Sequence, residues 1–125
     1  MHQQPVYNKS TSAVGANGTV YSSSSKFKFF GDNACCFKLV MASGGASTVT
    51  ISQQCSTGDG NWYTPVNNSG GQLGVICTTF TPGTYWIQAV LVTAPEVRFK
   101  IEEKGGVVIT ALTLTLMFQE ASNLL

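Results

Sequence analysis

Large apolar and polar residues alternate with a period of two along much of this chain, most clearly toward its C-terminal end. Leu112, Leu114, Leu116 and Phe118 alternate with Thr113, Thr115, Met117 and Gln119. Val97, Phe99 and Ile101 alternate with Arg98, Lys100 and Glu102. That period puts the apolar set on one face of a strand, and burying each such side chain is worth ~1.5–3 kcal/mol. Upstream, Phe27 and Phe29 alternate with Lys26 and Lys28, and Cys35, Phe37, Leu39 and Met41 with Cys36, Lys38 and Val40. Val49, Ile51 and Gln53 alternate with Thr48, Thr50 and Ser52. Residues 62–66, 73–80 and 84–92 complete a set of about eight predicted strands.

Turn signals separate them at the ~8–12-residue spacing of sandwiches. They fall at 31–33, 43–45, 57–60, 67–71, 81–83, Ala94-Pro95 and Gly105-Gly106. The last is expected to close a hairpin between the two final strands. No segment of useful length carries a helical period. The pattern predicts an all-β fold, a single antiparallel β-sandwich of the jelly-roll or Greek-key kind, with a closed barrel as the alternative. Residues 1–25 stand apart. Gly15, Asn17-Gly18 and the run 22–25 of serines leave only Val6, Tyr7, Val14, Val20 and Tyr21 as larger apolar residues. Such a segment cannot pack a core alone. It is expected to be an extended N-terminal arm, or a first strand after a loose leader. The domain then runs over 26–119, with a short tail at 120–125.

Composition narrows the functional classes. Charged residues are 10% of the 125, against about 25% in ordinary soluble domains. Hydroxyls and amides supply the polarity, and they cost less to desolvate than ions. Such a surface suits packing against other proteins. The net charge of +1 offers no field for nucleic acid, so no nucleic-acid partner is expected. No apolar run reaches the ~20 residues of a membrane span, and no membrane association is expected. Residues 1–5 lack the apolar region of a signal peptide. Synthesis in a reducing cytoplasm and free thiols are therefore expected for Cys35, Cys36, Cys55 and Cys77.

Chemistry is sparse. The lone histidine, His2, stands in the N-terminal segment, a poor place for a Ser–His or Cys–His pair. No CxxC spacing occurs, and adjacent Cys35 and Cys36 point to opposite faces of a strand, so no metal or other cofactor is expected. Among Asp32, Asp59, Glu96, Glu102, Glu103 and Glu120 nothing singles out a catalytic pair. An enzyme is not expected. Partner contacts are expected from Tyr7, Val14, Val20 and Tyr21 of the arm and from Leu124 and Leu125 of the tail. The alternative is a glycan-binding module using Trp62, Tyr63 and Trp86 as a stacking platform; such aromatics more often pack a core while keeping a polar tip wet.

The residues 48–54, TVTISQQ, followed by 58–65, GDGNWYTP, resemble a strand–turn–strand of small virion proteins of tailed bacteriophages. Residues 82–87, PGTYWI, then 94–101, APEVRFKI, and 113–119, TLTLMFQ, are similar to the end of those proteins. The resemblance spans roughly residues 47–119. It implies a structural β-sandwich of the capsid decoration (cement) type, bound to the major capsid protein or other virion subunits on the outer capsid surface. It further implies a homo-oligomer, dimer or trimer, and brings no catalytic residues. A tail, neck or fibre-base subunit of the same fold is a related reading.

Overall fold

The computed structural model describes residues 2–24 and 34–118. Eight strands occupy them: β1 (His2–Lys9), β2 (Thr19–Tyr21), β3 (Ala34–Ser43), β4 (Val49–Ser56), β5 (Val75–Phe80), β6 (Gly83–Val90), β7 (Glu96–Glu103) and β8 (Ile109–Phe118). No helix is formed among the described residues. The strands make two antiparallel four-stranded sheets, in the orders β1-β8-β3-β6 and β2-β7-β4-β5. The closed-barrel alternative is thereby set aside.

The pairing has a simple logic. β1 pairs with β8, β2 with β7, β3 with β6 and β4 with β5, all antiparallel. The chain is one long two-stranded ribbon folded back at the β4–β5 connection. Wrapping that ribbon brings β3 beside β8 and β4 beside β7, which closes two sheets of four. This is the jelly-roll arrangement.

Four expectations need correction. Residues 2–24 are not a projecting arm; of the two readings the first-strand one holds, with β1 paired to β8 and β2 to β7. Val14, expected as a partner contact, is fully buried in the chain's own core. Its backbone exchanges hydrogen bonds with Ile109 in both directions. A glycine- and serine-rich segment reaches this state because the β7 and β8 edges supply backbone partners that its side chains cannot. Residues 62–66 do not form a strand; isolated bridges join Tyr63 to Cys55 and Val66 to Gln72. β7 lines one edge of β4 and β5 the first half of the other, so this stretch meets β4 only at Cys55 and otherwise folds back on itself through Val66 and Gln72. The final two strands are not a hairpin either, since β7 and β8 lie in different sheets. The predicted strand around Phe27 and Phe29, the turn at 31–33 and the tail with Leu124 and Leu125 lie outside the described residues.

The alternation read from sequence builds the core. Phe37, Leu39, Val97, Phe99, Ile101, Leu112, Leu114 and Leu116 are all buried between the sheets. Phe37 of β3 meets Phe99 of β7 edge-to-face, centroids 5.1 Å apart and planes at 83°, a geometry that adds ~0.5–1.5 kcal/mol to the burial.

Two polar residues occupy inward positions. Gln53 on β4 has no solvent exposure. Its Nε2 donates to the Val92 carbonyl at 2.8 Å, and its Oε1 accepts from the Val92 N–H at 2.8 Å. The amide thus acts as a missing strand partner for the β6–β7 connection. Glu103 continues the Val97, Phe99, Ile101 series into the end of the core. Its carboxylate accepts from the backbone N–H groups of Asn17, Thr48, Gly105, Gly106 and Val107. One side chain thereby ties together three connections, β1–β2, β3–β4 and β7–β8. Gly105 is required there: a Cβ would lie 2.6 Å from the Ala46 carbonyl oxygen.

Candidate functional site

Charge divides the sandwich into two unlike faces. Among the described residues, Glu96, Arg98, Lys100, Glu102, Glu103 and Lys104 all belong to β7 or the turn after it. The outward positions of β7 therefore make the face of the β2-β7-β4-β5 sheet ionic. Glu102 there lies 3.0 Å from Lys104 and 3.8 Å from Lys100.

The outward face of the other sheet is almost uncharged. Its residues follow from the ladder register. One row runs Pro5, Thr115, Lys38, Trp86; the row on one side runs Gln3, Met117, Cys36, Gln88, in which Met117 is buried; the row on the other runs Asn8, Thr113, Val40, Thr84. Lys38 is the one charged side chain among these outward positions. Trp86 is 65% exposed, Val90 64% and Val40 40%. A tryptophan exposed on a sheet face that carries a single charge, the neighbouring Lys38, is a feature that marks interaction surfaces.

The expected glycan platform does not assemble. Trp62 lies on the ionic side, 4.5 Å from the Arg98 guanidinium, whose other contact is the Tyr21 ring at 3.9 Å. Arg98 Nε also donates to Gln54 Oε1 at 2.8 Å. The three side chains form an aromatic–cation–aromatic stack. Trp86 projects from the opposite face of the sandwich, and Tyr63 is exposed in the β4–β5 connection. Of the expected partner contacts, Tyr7 donates its hydroxyl to the Ala13 carbonyl and packs on the core, as does Val20. Tyr21 is 44% exposed but committed to Arg98.

Three of the four thiols are held away from reactivity by burial. Burial, with the neighbouring Cys36, pushes Cys35 up to about 12. Burial pushes Cys77 up to about 11 and raises Cys55. A thiol is a nucleophile only as its thiolate, so these three are inert near neutral pH. All four cysteines are unpaired thiols. Among the carboxylates, Asp59 sits in an exposed turn, lowered by hydrogen bonds from Asn61. Burial raises Glu103, but the backbone hydrogen bonds from Asn17, Thr48, Gly105 and Gly106 outweigh it and bring it down to about 2. A carboxylate saturated by amides cannot shuttle protons at neutral pH. Among the described residues no three His, Cys, Asp or Glu side chains gather in metal-binding range.

Sequence reasoning missed the roles of Glu103 and Gln53. The signal was their parity: each falls on the apolar phase of its strand. Trp86 was singled out, but with the wrong companions. No family model, no curated protein and no solved structure matches this chain.

Proposed function

We propose that this chain is a structural protein of a virus particle, of the capsid decoration (cement) type, which binds through the outward face of its β1-β8-β3-β6 sheet. The observation that carries this reading is the charge-poor face around Trp86, Val40 and Val90, where Lys38 beside Trp86 is the one ion among the outward positions of the ladder, set against an ionic face on the other side. A flat face poor in charge can be covered by coat subunits without stranding ions. An exposed tryptophan supplies the buried aromatic anchor such contacts concentrate on. The jelly-roll arrangement is one that viral capsid domains use; this is support by analogy, because fold alone does not fix function. The carbohydrate reading is less well supported, since Trp62, Tyr63 and Trp86 do not converge.

The mechanism is additive contact. Each copy covers a seam between neighbouring major capsid subunits, and many copies on one shell turn a modest affinity into durable stabilisation. The test is pelleting of the purified protein with shells assembled without it, followed by micrographs of the pelleted particles. Saturable binding to the outer shell is expected. Trp86→Lys should reduce occupancy about tenfold or more at limiting protein. Absence of binding, or density confined to neck or tail, would overturn the decoration reading.

A further inference from the structure

We propose that two copies of this chain pair through their β6 edges, antiparallel about a twofold axis, to make one continuous eight-stranded sheet. The four sheet edges differ in how they are protected. β1 carries Pro5 and a register shift between Pro5 and Tyr7, and ends at Lys9. β2 is three residues long. β5 has six residues, two register shifts in its ladder with β4, and Thr79 at φ 56°. Proline, bulges, shortness and charge are the devices that keep an edge from pairing. β6 has none of them. Its eight residues, GTYWIQAV, contain no proline and no charge, and its ladder with β3 runs without a shift. Among the described residues no strand pairs along its other side.

The inner face also shows an open edge. Ile87 is 8% exposed where its neighbour Phe37 on β3 has none. Tyr85 and Ala89 are only partly buried beside Leu39 and Cys35, which are buried.

The occupant follows from self-complementarity. Directly opposed residues of an antiparallel pair share a face, so the twofold axis must pass midway between one residue and its own copy. With the axis at Ile87, Trp86 of one copy lies opposite Gln88 of the other, and Thr84 opposite Val90. Any charge near the axis would confront a like charge, and β6 offers none. The axis runs perpendicular to the sheet, so both outward faces look the same way. The charge-poor surface around Trp86 is thereby doubled in area.

A seam of eight residues at ~3.3 Å per residue is ~26 Å long and about 10 Å deep. It covers on the order of 300 Å² per copy, below the ~800 Å² per partner of a standard interface. The dimer therefore forms at high protein concentration and dissociates on dilution.

Sedimentation equilibrium of the purified protein from micromolar to millimolar concentration, with hydrogen exchange at both ends of that range, is the test. A monomer–dimer equilibrium is expected, with exchange in residues 83–90 slowing as the dimer forms. The double variant Trp86→Lys, Gln88→Lys sets lysines of the two copies opposite each other and should weaken association by about tenfold or more. Both side chains point outward, so its melting curve should match the parent's. A monomer at every concentration, slowing confined to another edge, or a dimer indifferent to the lysines would overturn the proposal. The outcome is read on the isolated protein and stands or falls independently of particle binding.

Discussion

Glu103 shows how one residue can hold the end of a fold. On β7 its parity is that of Val97, Phe99 and Ile101, and a carboxylate in such a position must find donors or be expelled. It finds five backbone N–H groups on three connections. Glu103→Gln keeps the size but turns an amide NH₂ toward some of those donors. We expect a loss of about 3 kcal/mol in denaturant unfolding at pH 7. The pH dependence has a definite sign. The folded carboxyl is depressed to about 2 from 4.5, so the unfolded chain binds the proton more readily. Its stabilisation is complete above about pH 5 and is lost as pH falls through the folded value near 2. Melting temperature measured across that window should fall steeply for the parent and less steeply for Glu103→Gln. Equal slopes would remove Glu103 from the acid response. Gln53 makes the complementary case. Gln53→Leu adds apolar surface, yet strips the Val92 N–H and carbonyl of their partners. A net loss of about 2 kcal/mol is expected on chemical denaturation, where hydrophobicity alone predicts a gain.

At the scale of elements, the β4–β5 connection is long and carries no strand, yet it is held at several points. Tyr63 and Cys55 exchange backbone hydrogen bonds, and Asn67 Oδ1 accepts from the N–H groups of Ser69 and Gly71. Arg98 fastens it to the sheet by stacking between Trp62 and Tyr21. Arg98→Met keeps much of the aliphatic bulk and removes the cation. Each lost stack is worth roughly 0.5–1 kcal/mol at an exposed site. Limited proteolysis should then cut residues 57–74 several-fold faster, with β-sheet circular dichroism unchanged. An unchanged cleavage rate would mean that backbone bonds alone hold the segment. The strands that carry the core were legible in sequence because their large side chains alternate without interruption, as in β3, β7 and β8. β1 and β2 were not, since their small polar residues gain stability from backbone pairing that no side-chain pattern reveals. Residues 62–66 failed in the opposite sense: despite strand-like composition they touch β4 at a single residue, Cys55, before Val66 turns back to bridge Gln72. The Trp86 face was half legible. Exposure of one aromatic cannot be read without the register that assigns its neighbours.

The whole molecule is governed by the ribbon that joins first strand to last. Pairing β1 with β8 and β2 with β7 makes the chain's two ends interdependent, and most of its contacts join residues far apart in sequence, a topology that folds slowly. The consequence is sharpest for the N-terminal segment. Were residues 1–20 an appendage, their deletion would leave a stable domain with fewer partner contacts. In the sandwich, deletion removes β1 and most of β2. Val6, Ala13 and Val14 leave the core, and the buried faces of Leu112, Leu114 and Leu116 lose their cover on that side. β8 becomes a long, apolar open edge of the kind that aggregates. Asn17 also departs, taking one of the amides that hold Glu103. Losing several buried apolar side chains and two strand pairings at once is large against the 5–15 kcal/mol by which domains are ordinarily stable. The truncated chain should therefore be insoluble, or soluble without a cooperative thermal transition, when the parent melts cooperatively under the same conditions. A truncated protein that stays soluble and melts within a few degrees of the parent would show that the sheet closes without β1, and the ribbon account of this fold would fail with it.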